Sequence, residues 1–267
     1  MAGVMERTLG ILELLAKEAE GLPLAMIAER VGMPKSAAHR LLSDLARYGY
    51  VRQVRDQGDY MLTTKLTSMG LGFLGEMGIL DAAQPLIDRL AEISGELVRL
   101  AVVDERSLTW VAKAQGATRG LRYDPDMGAV AKLSCSASGL AWLSTLSDEA
   151  ALELVAAQGF GNVDEYGPNA PSTITALLEA LKQTRERGFS TTVETFSPGM
   201  NAMAAPVCRA GHTTMGTISI AGPSIRFTPE RMEALGSTLI EVANELAAST
   251  SASSLLRLGR PTTASQL

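Results

Sequence analysis

Three short helical runs open this chain, and glycine and proline cut them so closely that they can only fold as separate helices packed on one another. Val4–Ala16 sets Met5, Leu9, Ile11, Leu12, Leu15 and Ala16 at amphipathic helical spacing. Gly21 and Pro23 punctuate, and residues 24–31 form a second run that Gly32 stops. Pro34 follows where proline suits the start of a helix. From there Ala37, Leu41, Leu42, Leu45 and Ala46 mark a third helix, ending near Gly49. Residues 51–54 and Tyr60–Leu62 read as strands around a polar loop containing Gly58, a hairpin signal. The order is helix, helix, helix, hairpin.

The whole chain carries a net charge of −5, so overall charge does not attract it to a polyanion. Locally the balance reverses. Arg30, Lys35, Arg40, Arg47, Arg52 and Arg55 face one acid, Asp44, over residues 30–55. Lys35, Ser36, His39, Arg40 and Ser43 fall on the side of the third helix away from Ala38, Leu41, Leu42 and Leu45. One apolar face for its own core and one basic, hydrogen-bonding face suit a helix to the major groove. Lys35, Ser36 and Ala37 would reach base edges or phosphate first, with His39, Arg40 and Arg47 behind them. Arg52 and Arg55 would act as a wing on the backbone or minor groove. A three-helix bundle with a solvated basic face explains the charge equally well. The helix order, the Gly32 turn and the trailing hairpin favour DNA.

At 267 residues and 46% hydrophobic, the chain is long enough for two domains with real cores. Residues 66–77 read as a connecting helix and residues 81–93 as another. Strands are expected over 96–103, 107–114, 190–195, 202–208 and 215–221, with helices over 136–146, 148–157, 172–187 and 229–248. That alternation predicts an α+β domain on an antiparallel sheet. The expected division is 1–65 for DNA binding, 66–78 as linker helix, 79–248 as the second domain, and a disordered Ser/Thr-rich tail over 249–267. No secretory signal or membrane-spanning run is visible, so a cytoplasmic protein is expected.

Other chemistries find little support. Gly70, Gly72 and Gly75 match a dinucleotide fingerprint, but the preceding residues are polar and helix-like where a buried strand is required. Two cysteines, Cys135 and Cys208, and two histidines, His39 and His212, make no paired metal motif. There is no nucleophile elbow for a catalytic triad. No cofactor, no metal and no enzyme activity is the expectation.

The segment MERTLGILELLAKEAEGLPLAMIAERVGMPKSAAHRLLSDLARYGYV resembles the winged helix-turn-helix of the IclR family of bacterial transcription regulators. GDYMLTTKLTSMG, SGELVRLAVVD, LSCSASGLAWLS, RERGFSTTVETFSPGMNAMAAPV and GTISIAGPSIRFT resemble family stretches in the same order. The resemblance implies a GAF-like effector-binding domain and a homodimer or homotetramer on double-stranded operator DNA. It implies a repressor of a catabolic operon answering to a small organic acid or aromatic metabolite. Two positions depart from the family: Ala37 stands where threonine is frequent, and Leu140 where lysine is common.

Mapped by motif, the resemblance assigns Tyr123, Ala131, Ala137, Ser138, Glu194, Pro206, Ser219 and Ala221 to the effector pocket. Independently of it, Ser136, Ala137 and Ser138 precede a helix whose free N–H groups suit a carboxylate. Pro206 and Ala221 are apolar, and Trp110, Tyr123 and Met127 are candidate neighbours, so a more apolar, aromatic ligand is expected. The alternative is a metabolite-binding protein or enzyme whose basic N-terminal bundle makes protein contacts. Salt dependence and operator preference separate the two.

Overall fold

The computed structural model describes residues 3–54, 58–76, 79–125, 128–160, 165–209 and 211–249. Arg55, Met127 and the tail from residue 250 therefore lie outside the described residues. The chain divides into two compact units, Met1–Glu76 and Met77–Leu267.

In the first unit α1 (Val4–Ala16), α2 (Leu24–Arg30) and α3 (Lys35–Arg47) precede a hairpin of β1 (Val51–Gln53) and β2 (Tyr60–Leu62), and α4 (Lys65–Glu76) follows. The turn between α2 and α3 shows why Gly32 is needed. Its φ is +67°, its N–H donates to Glu29 O at 3.1 Å, and Met33 N–H donates to Ala28 O at 2.9 Å. This pair of bonds closes the last carbonyls of α2 through a left-handed residue, which glycine adopts at low cost. Met33 is thereby tucked into the core, and Pro34 starts α3 in a new direction. Ile11, Leu15, Ile27, Leu42, Leu45 and Val51 form that core. Each contributes about 1.5–3 kcal/mol on burial. Tyr60 exchanges backbone bonds with Leu22 at 2.8 and 2.9 Å, fastening the hairpin to the loop between α1 and α2. The expected apolar face of α3 is displaced by one residue at its start. Ala38 is fully buried, Ala37 half-buried, and Ala46 exposed.

In the second unit α5 (Ile79–Ser94) leads into β3 (Leu97–Asp104) and β4 (Ser107–Gln115). Next come α6 (Ala137–Leu143), α7 (Asp148–Gln158), α8 (Ile174–Arg187), β5 (Ser190–Val193), β6 (Met200–Val207), β7 (Gly216–Pro223) and α9 (Pro229–Ser249). The five strands form one antiparallel sheet in the order β4-β3-β7-β6-β5. This is the α+β architecture expected. Central β7 is buried at every residue, as a strand covered on both faces must be. On one face Ala202 and Ala204 of β6 meet Ala137 and Ala141 of α6. Strand alternation sends Met203 and Ala205 to the other face, against which α9 packs.

One irregularity positions a key side chain. β3 and β4 run in register from Leu97↔Gln115 to Leu100↔Ala112, then shift so that Ala101 faces Trp110. A residue inserted into one strand turns the following side chains to the opposite face. The bulge thus puts Trp110 on the α6 side of the sheet, the side that carries Arg99.

Candidate DNA interface and ligand cleft

The exposed face of α3 carries Lys35, Ser36, His39, Arg40, Ser43 and Arg47. The opposite face holds Ala38, Leu41, Leu42 and Leu45 in the core, so packing fixes which side chains point outward. Pro34 supplies no side-chain cap, which leaves the first N–H groups of this 13-residue helix open at the Lys35 end. Uncapped N–H groups beside a lysine and a serine suit phosphate oxygens.

The basic residues are not equally free. Arg30 is paired with Glu18 at 2.5 Å, and Arg47 with Asp44 at 2.8 Å while lying over the Tyr48 ring. Ser43 donates its hydroxyl to His39 O at 2.8 Å. Among the described residues Lys35, Arg40 and Arg52 enter no ion pair, and Arg52 stands exposed on β1. These three are the cations best placed to meet a polyanion. Ala37 is half-buried against the core, so its contribution is helix packing more than surface contact.

A cleft opens on the α6 side of the sheet, about 370 Å³ with its solvent-open mouth included. It is lined by Arg99 and Trp110 of β3 and β4, Ser136, Ala137 and Ser138 at the start of α6, and Ser219 and Ala221 of β7. Thr192, Phe196, Met200, Asn201, Ala202 and Tyr123 complete it. Tyr123 sits on an irregular segment held by three anchors. Gln115 Nε2 donates to Tyr123 O at 2.9 Å, Lys113 pairs with Asp124 at 2.5 Å, and Arg226 donates to Leu121 O at 2.7 Å.

Five of the residues expected in the pocket line this cleft: Tyr123, Ala137, Ser138, Ser219 and Ala221. Three do not, for identifiable reasons. Ala131 is fully buried in the core, its N–H given to Leu108 O and its carbonyl accepting from Gln158. Pro206 shares the strand face of Ala202 but lies four residues along β6, roughly 13 Å away at strand spacing. Glu194 follows the last residue of β5 with φ +51°, its N–H donating to Met200 O and to Asn201 Oδ1, so it serves the turn into β6. Leu140 is buried beside Trp142 and Leu143, a packing residue.

At the start of α6 some of the expected donors are already in use. α6 has seven residues, and the Ser136 hydroxyl already accepts from Gly139 N–H at 3.0 Å while donating to Lys132 O at 2.7 Å. Ser138 accepts from Trp110 Nε1 at 3.3 Å, and Ser219 donates to Arg99 O at 3.3 Å. Ser136 is therefore a structural cap. Replacing it with alanine should cost about 0.5–2 kcal/mol of stability, read by denaturant unfolding followed by tryptophan fluorescence.

Arg99 is the residue that sequence reading missed. It is 5% exposed, its guanidinium carbon lies 3.8 Å from the Trp110 ring centroid and 5.8 Å from that of Tyr123. Burial lowers its pKa from 12.5 to about 10, which still leaves it cationic at neutral pH. Burial likewise raises the Tyr123 phenol, against the opposing pull of the Arg99 charge. The available signal was a lone arginine inside the apolar run of β3, at a position whose neighbours point inward.

The comparisons with known proteins agree with this geometry in both units. Residues 4–55 match the family model described as the IclR helix-turn-helix domain, and residues 72–248 that of the bacterial transcriptional regulator IclR C-terminal. Similar relatives include the transcriptional repressor IclR of Escherichia coli strain K12, 30% identical over 243 residues, covering 91% of this chain and 88% of the relative. The acetate operon repressor of Salmonella typhimurium matches to the same extent. Among solved structures, an IclR transcriptional regulator from Alicyclobacillus acidocaldarius superposes with TM-score 0.78 at 20% identity, covering 92% of this chain and 98% of that one. An IclR homolog from Microbacterium hydrocarbonoxydans complexed with 4-hydroxybenzoate gives TM-score 0.78 at 19% identity, covering 94% and 100%. With family matches over both units, the chain belongs to the IclR family of bacterial transcriptional regulators.

Proposed function

We propose that this regulator binds double-stranded operator DNA through α3 and the hairpin, and that a small organic acid or aromatic metabolite in the sheet cleft controls that binding. The observation that carries the reading is the exposed face of α3, where Lys35 and Arg40 stand free of ion pairs beside open helix N–H groups. Residues 1–65 serve as the DNA-reading domain, 66–78 as the connector and 79–248 as the effector domain. Lys35, Ser36 and His39 lead into the groove, Arg40 reads or clamps beside them, and Arg52 holds the backbone. Relatives named as repressors support repression as the mode of action.

The protein acts as a homo-oligomer in this reading. Val4, Met5 and Leu9 of α1 and Met69, Leu71 and Phe73 of α4 are large apolar side chains left exposed, from 49% to 70%. A second copy covering these stripes removes that area from water and presents two recognition helices to a palindromic operator. The effector shifts DNA affinity only as far as it prefers one arrangement of the dimer over the other.

A gel shift with the DNA upstream of the protein's own gene, against unrelated competitor DNA, tests the reading. Arg40→Ala should weaken specific binding by about 1–3 kcal/mol, roughly ten- to a hundredfold, with unfolding unchanged. Affinity should also fall steeply with salt. An unchanged footprint in the variant removes Arg40 from the interface, and no operator preference at any salt overturns the reading.

A further inference from the structure

We propose that the cleft takes a monocarboxylate with a flat apolar body, its carboxylate paired with the guanidinium of Arg99. The proposal rests on reading the cleft as the effector site.

How the same fold treats its other deeply buried charge makes Arg99 conspicuous. Glu96, 1% exposed and three residues earlier, is met by Arg226 through two bonds of 2.6 and 2.8 Å, Nε to Oε1 and Nη2 to Oε2. Arg99 has no carboxylate partner: among the described residues it enters no ion pair, its buried Nε has no acceptor, and the hydrogen bond it makes to Tyr123 is to a neutral phenol. A guanidinium carries five N–H donors and no acceptor, and it keeps its charge at neutral pH. Stacking on Trp110 offsets part of the burial cost through the ring face, yet satisfies no donor in the guanidinium plane. A buried cation left in this state is incomplete until an anion arrives.

The surroundings specify the anion. Among the described residues no acidic side chain lines the cleft, so no carboxylate of the protein competes with an incoming one for Arg99, and the neutral Tyr123 phenol is the weaker partner there. One cation matches one negative charge, and a planar guanidinium matches a carboxylate through two parallel bonds. Ser138, which accepts from the Trp110 indole, keeps its own hydroxyl proton to donate. The rest of the lining suits a flat apolar body: Ala137, Ala202 and Ala221 are small, and Met200 is adaptable. The Trp110 and Phe196 rings stand edge to face at 6.0 Å, with Tyr166 5.6 Å beyond Phe196.

The test is isothermal titration of the full-length protein with benzoate, benzamide and pyruvate, repeated on Arg99→Gln and on Ala221→Phe, which fills the cleft. Benzoate should bind wild type at least about tenfold tighter than benzamide, which has its shape without its charge, and tighter than pyruvate, which lacks the ring. Arg99→Gln should bring benzoate down to the benzamide level, about ten- to a hundredfold. A purely structural Arg99 leaves the acid-to-amide ratio of wild type near one, and that result overturns the proposal even if the variant fails to fold. Absence of benzoate binding to wild type overturns it too, as does pyruvate binding as tightly as benzoate. Acid preference that survives Arg99→Gln but disappears in Ala221→Phe keeps the cleft and discards Arg99. Benzoate binding untouched by either substitution discards the cleft reading itself.

Discussion

Leu42→Ala should unfold the N-terminal unit at denaturant concentrations that leave the second unit intact. Leu42 is fully buried at the centre of α3, in the core with Ile11, Leu15 and Ile27. Truncation leaves a cavity that three short helices and a hairpin have little means to close, at a cost of about 2–5 kcal/mol. A unit of this size has about that much stability in total. The two units can be followed separately in one sample. The chain has two tryptophans, Trp110 and Trp142, and both lie in the second unit, so their fluorescence is silent to α1–α4. Circular dichroism reports helices of both. In the variant an early loss of helix signal should precede any change in fluorescence, and operator binding should vanish while cleft ligands still bind. Coincident transitions by both probes, as in one cooperative unit, would contradict this account.

Gly139→Ala should destabilise the second unit although alanine is the better helix former. On propensity alone the exchange favours the helix by about 1 kcal/mol. Sterics oppose it. A Cβ at Gly139 would lie 2.4 Å from Leu133 O and 2.5 Å from Leu133 Cα, backbone atoms that cannot rotate away. α6 is buried at all of its residues, so it has no solvent side toward which to shift. The expected net loss is about 2 kcal/mol or more, near the upper end of overpacking costs. Because α6 carries Ala137 and Ser138 into the cleft, ligand affinity should fall with stability. The tryptophan-monitored transition should move to lower denaturant; a move upward would show that the segment around Leu133 yields easily.

These outcomes also measure how far the amino-acid order can be read. Gly32, Pro34 and Gly49 punctuate locally, and local rules place α2, α3 and the start of the hairpin. The outward face of α3 was legible because one helix wheel sorts Leu41, Leu42 and Leu45 from Arg40 and His39. Ser219, Ala221, Ala137, Ser138 and Tyr123 reached the cleft through family motifs rather than through spacing. Arg99 escaped because the strand around it is apolar on both faces, which erases the alternation that would reveal its direction. Glu194 and Pro206 lie outside the cleft lining because motif proximity does not measure distance along a strand or the local demands of a turn. Pairings of charges remote in sequence, such as Arg30 with Glu18, were invisible until the chain folded.

The bulge opposite Leu100 and Ala101 has an evolutionary meaning of its own. Exchanging one amino acid for another alters what a side chain is, and never which face of a sheet it occupies. Losing or gaining a single codon in β4 does the reverse: composition barely changes, while Trp110 leaves Arg99 and a neighbour takes its place. A relative that changed length at this one point would gain a different cleft wall, and a gap-free alignment of β4 with it would match residues that look in opposite directions.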